Sequence, residues 1–121
     1  MAKRKIAGKP VPIANYRKHQ KLKAWNRQAV LSTKGREARF KPGLPHDESY
    51  YASLYTHKNA ITIRAASSSQ KSSFYCVKMR DVVGASDGVE TTYIMVKVDR
   101  FGAHARPISE HELRNVFHVK L

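Results

Sequence analysis

The chain has 121 residues, 41% of them hydrophobic, which is the size and composition of one ordinary domain with a modest core. Its 23 Lys and Arg residues outnumber its 9 Asp and Glu residues, and the formal net charge of +14 indicates a polyanionic partner. No apolar run is long enough to span a bilayer, and Lys9 and Pro10 interrupt the stretch that could serve as a secretory signal.

The positive charge is concentrated in the N-terminal third of the chain. Residues 1–43 hold 13 basic side chains and one acidic side chain, Glu37, whereas residues 44–121 hold 10 basic and 8 acidic side chains. This asymmetry indicates a binding surface rather than general solubility. Two prolines and a glycine within residues 40–49 coincide with the change in charge. We therefore predict two parts, a basic arm and helix over residues 1–43 and a small β-rich domain over residues 44–121.

The basic third divides into two predicted elements. Residues 1–13 combine four basic side chains with a glycine and two prolines, a pattern typical of an extended arm. Residues 15–32 lack Pro and Gly, and a glycine follows shortly after them, so they predict a helix. Leu22, Trp25 and Ala29 would form a narrow apolar stripe on this helix, and most of its remaining surface would be basic.

A second, shorter helix is predicted just after the change in charge. Asp47 is suited to cap it, and the spacing of Tyr50, Tyr51, Leu54 and Tyr55 places the aromatic rings on one face. An irregular aromatic loop is the alternative interpretation of the same residues.

The pattern then changes to the two-residue period of strands. Residues 60–66 predict a strand, and the serine-rich residues 67–73 predict a loop. Residues 74–83 and 90–99 alternate in polarity on either side of a glycine-containing turn at residues 84–88, so they predict a β-hairpin. On the first strand of this hairpin, one face would carry Tyr75, Val77 and Met79, and the other face would carry Phe74, Cys76, Lys78 and Arg80. On the second strand, one face would carry Ile94, Val96 and Val98.

The C-terminal residues complete the predicted domain. A reversal at residues 101–103 leads into a strand that ends near Ile108, residues 109–112 form a capping box that opens one helical turn, and residues 116–121 predict a closing strand. The element order resembles that of SH3-like small barrels such as Tudor and KOW domains. We expect an α+β fold in which the basic arm and helix precede a small antiparallel five-stranded β-barrel of SH3-like type or an open sheet.

Basic side chains of the N-terminal third are the candidate binding residues. Lys and Arg displace condensed counterions from a phosphate backbone, and if about 6–10 of them contacted phosphates, affinity would fall roughly 10³–10⁵-fold between 50 and 200 mM salt. Tyr16 lies among them and is the candidate for stacking on an unpaired base, whereas Trp25 is interpreted as packing the helix onto the domain. The predicted nucleic-acid-binding residues are Lys3, Arg4, Lys5, Lys9, Tyr16, Arg17, Lys18, Lys21, Lys23, Arg27, Lys34, Arg36, Arg39 and Lys41.

Catalytic and metal-binding motifs do not emerge from the sequence. Asp81, Asp87, Glu90 and Lys97 could suggest a metal-dependent nuclease, but Thr92 stands where the acid-x-Lys pattern needs lysine. The single cysteine, Cys76, lacks a CxxC companion, and neither a nucleophile elbow nor a glycine-rich phosphate loop is present. We predict a non-enzymatic protein with no cofactor, no metal and no small-molecule substrate.

The sequence therefore favours a nucleic-acid-binding protein that recognises the phosphate backbone and overall shape. RNA is favoured over DNA, because a basic arm with prolines suits irregular folded RNA and no helix-turn-helix or zinc-finger pattern is present. One alternative is a virus- or phage-type accessory protein that binds and modulates a larger nucleic-acid-processing enzyme. A virion structural component is another. A larger nucleoprotein complex is an expected partner, a membrane is not, and the lone cysteine fits the cytoplasm.

Overall fold

The computed structural model describes residues 19–64 and 71–121 of the chain. Three short α-helices occupy this part, namely α1 (Arg27–Leu31), α2 (Glu48–Ser53) and α3 (Glu110–Asn115), and a 3₁₀ turn, Leu54–Thr56, follows α2. The strands are β1 (Arg39–Phe40), β2 (Ile61–Arg64), β3 (Ser73–Lys78), β4 (Gly84–Ser86), β5 (Val89–Thr91), β6 (Tyr93–Asp99) and β7 (Gly102–Ile108). The predicted arm over residues 1–13 lies outside the described residues, as does most of the predicted serine-rich loop.

The described strands form two antiparallel sheets, which confirms the α+β class. The larger sheet has the order β2-β3-β6-β7, and the smaller one has the order β1-β4-β5. These strands do not close into one five-stranded barrel, so the SH3-like architecture is not confirmed. The reason lies in residues 84–91, which were predicted as a turn and the start of a strand. They form a hairpin of their own that pairs with β1.

The predicted pairing and faces of the central hairpin are confirmed, but its bounds and its connection are wrong. Strand β3 ends at Lys78 and not at residue 83, β6 begins at Tyr93 and not at residue 90, and β4 and β5 lie between them in the chain. Strands β3 and β6 pair in antiparallel register, with Tyr75 opposite Val96 and Val77 opposite Ile94. These four side chains are buried in one core cluster. The opposite face of the same strands contributes Cys76 and other residues to a second cluster. Strict alternation therefore allows the sheet to bury both of its faces.

Helix α2 and the 3₁₀ turn cover the first face of the larger sheet. Asp47 caps α2, since its carboxylate accepts a hydrogen bond from the backbone N–H of Tyr50 at 3.1 Å. Tyr51 and Tyr55 are buried against the sheet, but Tyr50 is 40% exposed. The predicted helix is confirmed, with its last residues in the 3₁₀ turn, and Tyr50 lies outside the buried surface that Tyr51 and Tyr55 share.

Helix α3 and the residues after it cover part of the second face. Ser109 caps α3 by accepting a hydrogen bond from the N–H of Glu112 at 3.1 Å, which is one half of the predicted capping box, and Leu113 is fully buried. The Glu112 carboxylate, which would form the other half, binds Arg106. The predicted strand at residues 116–121 is wrong. Phe117 and Val119 instead pack onto the sheet face, so these residues do not extend its edge.

The small sheet is held by a tight turn and a close backbone approach. Asp87 and Gly88 connect β4 to β5 and both have positive φ, 53° and 82°, as a type I′ hairpin turn requires. At Gly84 a side chain would collide with the carbonyl oxygen of Arg39 and the ring of Pro107. This glycine therefore lets β4 lie directly against β1 and β7.

The predicted N-terminal helix is wrong over residues 19–26, and residues 15–18 lie outside the described part. Helix α1 begins only after Asn26, whose side-chain oxygen accepts a hydrogen bond from the N–H of Ala29 at 2.8 Å. The residues before it run beside β1. The N–H of Leu22 donates to the carbonyl oxygen of Phe40 at 2.8 Å, and Lys21 forms a parallel bridge with Phe40. Pairing with a distant strand thus replaces the local helix.

Residues on both sides of the predicted boundary at 43 and 44 share one core. Phe40 is fully buried, and its ring stacks on that of Tyr51 with centroids 5.4 Å apart. The division into two parts stays a prediction, but the described basic residues are attached to the sheet through Phe40. Within residues 19–64 and 71–121, no helix is long and apolar enough to cross a membrane.

Candidate nucleic-acid interface

Half of the predicted binding residues lie in the described part of the chain. The others, Lys3, Arg4, Lys5, Lys9, Tyr16, Arg17 and Lys18, lie outside it. The seven described residues all come from residues 21–41, and the fold gives them two different environments.

Three of these seven cations make contacts within the protein. The guanidinium of Arg39 donates to the backbone carbonyl oxygens of Gln20 at 2.8 Å and Lys21 at 3.3 Å. The ammonium of Lys21 donates to the carbonyl oxygen of Leu44 at 3.2 Å. Lys41 lies 5.7 Å from the ring centroid of Trp25, a cation–π contact. These side chains hold the segment before α1 against β1, and their charges are partly committed to that role.

The other four cations, Lys23, Arg27, Lys34 and Arg36, are exposed. We refer to them as the four exposed cations. The ion pairs among the described side chains are Arg106 with Glu112 and Arg114 with Glu110, and neither includes one of the four. The four side chains are therefore exposed to solvent and form no ion pair with a described carboxylate.

The loop after α1 fixes the position of two of these cations. Thr33 is buried, and its hydroxyl donates to the carbonyl oxygen of Val30 at 2.7 Å while accepting from the N–H of Gly88 at 2.9 Å. Lys34 therefore lies against Gly88, so closely that a β-carbon at Gly88 would be 3.2 Å from that of Lys34. Arg36 follows through a backbone hydrogen bond of 3.1 Å to Thr33.

These contacts arrange three cations around the β4–β5 turn. Arg27 and Gly88 line one shallow depression, Lys34 contacts Gly88, and Arg36 lines a larger groove together with Asp87. Asp87 reduces the local potential, but the arrangement still presents several donors within one region of the surface. Because the fold already holds these side chains in place, they can contact the phosphates of a polyanion without a prior folding step.

Trp25 does not lie on a helical stripe as predicted. It precedes α1, and its indole N–H donates to the Glu90 carboxylate on β5 at 3.1 Å. Leu22 also lies outside the helix, which leaves Ala29 as the member of the predicted stripe within α1. Trp25 nevertheless contacts the folded domain, through the small sheet.

A groove of about 580 Å³ adjoins Arg36, and the sequence analysis did not predict it. It lies on the second face of the larger sheet, between residues 35–38 and α3. Its volume falls within the range of about 300–1,000 Å³ that small-molecule sites occupy. Apolar lining comes from Phe74, Met95 and Phe117, and charged or titratable lining comes from His19, Arg36, Glu37, Asp87, Lys97, His104, Arg106, His111 and Glu112.

One row of cross-strand neighbours crosses the sheet at this groove. Arg64 of β2 is paired with Phe74 of β3, Phe74 with Lys97 of β6, and Lys97 with His104 of β7. The Arg64 guanidinium lies 5.7 Å from the Phe74 ring centroid and 5.0 Å from that of Phe117. Alternation does predict that Phe74 lies on the face opposite Tyr75. The row itself depends on strand register, which the sequence does not reveal.

The remaining polar groups of this region have structural roles. Arg106 binds the Glu112 carboxylate at two points, 2.6 and 3.3 Å, which joins β7 to α3. Burial raises the pKa of the Cys76 thiol to about 11, so at neutral pH this thiol is protonated and a poor nucleophile. Among the residues that the structure describes, no group of three His, Cys, Asp or Glu side chains could hold a metal ion.

No protein-family model matches the chain, and no similar curated protein or solved structure was found. Function is therefore inferred from the residues and their geometry.

Proposed function

We propose that this chain is a non-enzymatic nucleic-acid-binding protein that recognises the phosphate backbone and shape of RNA in preference to DNA. The observation that carries the proposal is the set of four exposed cations, Lys23, Arg27, Lys34 and Arg36, which have no ion-pair partner among the described residues. They belong to a segment whose sequence balance is 13 basic side chains against one acidic side chain.

Physical chemistry supports a phosphate partner for such a surface. Each cation that contacts a phosphate releases condensed counterions, and this release favours binding most strongly at low salt. Shape recognition follows because the described part offers no motif that reads base edges in a groove of duplex DNA. We place this binding in the cytoplasm, because a single cysteine fits a reducing compartment.

Binding of the full-length chain to structured RNA, single-stranded RNA and duplex DNA is the direct test. Filter binding over a salt series would give the slope of log affinity against log salt concentration. The test variant replaces Lys23, Arg27, Lys34 and Arg36 by glutamine. The control variant makes the same substitutions at two Lys and two Arg residues that are also exposed, Lys58, Lys78, Arg80 and Arg100.

Both variants lose four positive charges, so net charge alone would affect them equally. If all four exposed cations contact phosphates of single-stranded RNA, the test variant lowers the magnitude of the salt slope by about 3, and the control variant leaves it close to that of the original chain. Equal losses in the two variants would contradict the proposal, because binding would then follow net charge and not this surface. Absence of binding by the unaltered chain at low salt would also overturn it.

A further inference from the structure

The groove on the second face of the larger sheet is lined by two aromatic rings and by cations that include Arg36 and Lys97. Phe74 and Phe117 are half-buried, and their ring centroids lie 5.7 Å apart. Lys97, a cross-strand neighbour of Phe74, lines the groove with these rings, whereas the guanidinium of Arg64 lies over both rings and does not line the groove. A partly exposed aromatic surface beside a cation is suited to an unpaired nucleotide, whose base stacks on an aromatic ring while its phosphate contacts the cation.

We infer that this groove binds an unpaired nucleotide of a single-stranded nucleic acid, with the base against Phe74 and Phe117 and the phosphates toward Lys97 and Arg36, which line the groove beside these rings. The inference rests on the proposed function and adds a substrate class to it. Arg36 is the link between the two, because it belongs to the four exposed cations and also lines the groove. A strand that contacts Lys34 and Arg36 can therefore continue into the groove.

Acidic side chains line the groove together with its cations. Glu112 is neutralised by its ion pair with Arg106, and Asp87 belongs to the β4–β5 turn. Carboxylates repel phosphate and accept hydrogen bonds from amino groups of bases. Asp87 should therefore favour a base edge over a phosphate near that turn.

Duplex nucleic acid does not fit this groove in the same way. Bases in a duplex are stacked on one another and cannot place a face on Phe74 without leaving the helix. The four exposed cations can contact phosphates of either form, but the groove adds affinity for single strands alone. The protein should therefore prefer single strands, and removal of the Phe74 ring should abolish this preference.

The test uses the full-length chain with Phe74→Leu, which removes the ring and retains an apolar side chain. Its probes are a short single-stranded RNA, the DNA strand of the same sequence, the matching RNA duplex, and a single strand with abasic central positions. The matched control is Phe101→Leu, since Phe101 is exposed and does not line the groove. Urea unfolding establishes that both variants are folded.

Phe74→Leu should lower the affinity for single strands about 5- to 150-fold without changing the salt slope. Its affinity for the duplex and for the abasic strand should remain that of the unaltered chain. Equal affinity for RNA and DNA strands and preference for RNA both support the inference, and the second outcome adds a contact to the 2′-hydroxyl group. Unchanged affinity for single strands would overturn it, as would an equal loss on all four probes.

A second variant, Lys97→Gln, tests the phosphate contact independently of the ring. It should lower the magnitude of the salt slope for single strands by about 0.7, whereas Lys58→Gln, at an exposed lysine outside the groove, should not. If the variant of the four exposed cations loses affinity while Phe74→Leu and Lys97→Gln do not, the groove inference alone fails. If the unaltered chain binds none of the probes, the proposed function fails with it.

Discussion

Phe40 connects the basic N-terminal third to the folded core, and its removal should destabilise the whole domain. The side chain is fully buried, it stacks on Tyr51, and its backbone pairs with residues 19–22 on one side and Gly84 on the other. Truncation of a buried Phe to Ala typically lowers the free energy of unfolding by about 3–5 kcal/mol. A domain of this size has about 5–15 kcal/mol in total, so Phe40→Ala should remove a large fraction of it.

Urea unfolding followed by far-UV circular dichroism measures this loss, with the slope against urea concentration checked for constancy. Thermal unfolding should show a fall in Tm of roughly 10–30 °C, from about 3–6 °C per kcal/mol for a chain of this length. The control is Phe101→Ala, because Phe101 is 74% exposed and should change stability by at most about 0.5 kcal/mol. A loss below about 1 kcal/mol in Phe40→Ala would refute the reasoning and would favour a detachable basic segment.

Three further predictions follow from individual contacts. Thr33→Val removes the oxygen that accepts from Gly88, so it should lower the free energy of unfolding by about 1–3 kcal/mol and speed hydrogen exchange at the Gly88 amide, measured by NMR. Ser109→Ala should destabilise by about 0.5–2 kcal/mol in urea through loss of the α3 cap, and Ser109→Gly should destabilise by less. Cys76 should react with a thiol reagent at pH 8 only after unfolding. The pKa of the thiol is about 8.5 in the unfolded chain and about 11 in the folded protein, so the stability that Cys76 contributes is present below about pH 8.5 and is lost as pH rises through 11. Burial also raises the pKa of Tyr51 and Tyr55, so the alkaline decline should become smaller in Cys76→Ala without disappearing.

Local patterns predicted the elements whose structure depends on neighbouring residues. Alternation identified β3 and β6 and both of their faces, because a side-chain period of two is intrinsic to any strand. The caps at Asp47 and Ser109 were predicted because each requires one polar side chain three residues before a backbone N–H. These features need no knowledge of distant contacts.

The errors arose where a distant segment determines the local conformation. Residues 19–26 have adequate helix propensity, yet pairing of residues 21 and 22 with Phe40 outweighs it, since propensity is worth only tenths of a kcal/mol per residue. Residues 116–121 contain alternate apolar residues, but these cover a sheet face and do not pair at its edge. The turn predicted at residues 84–88 includes a strand, because β1 offers β4 a partner.

The sequence predicted that the candidate site is positively charged, but it did not predict which residues form the site. From the sequence alone, Arg39 and Lys34 are equivalent cations. In the structure, the Arg39 guanidinium donates hydrogen bonds to backbone carbonyl oxygens, whereas Lys34 is exposed. Conversely, Arg64 and Lys97 come from the nearly neutral part of the chain and lie beside Phe74 only because of strand register. Charge counts identify a region of the sequence, and pairing decides which side chains share a surface.

Trp25 is positioned to serve as an intrinsic fluorescence probe of the basic surface. It is the only tryptophan in the chain, it is half-buried, and it contacts both the ammonium of Lys41 and the carboxylate of Glu90. Indole emission responds to nearby charge and to hydration, so its wavelength and intensity report on this one place. It also shares a depression with Arg27, one of the four exposed cations. Ligand binding near Arg27 should therefore change the tryptophan fluorescence of the unlabelled protein.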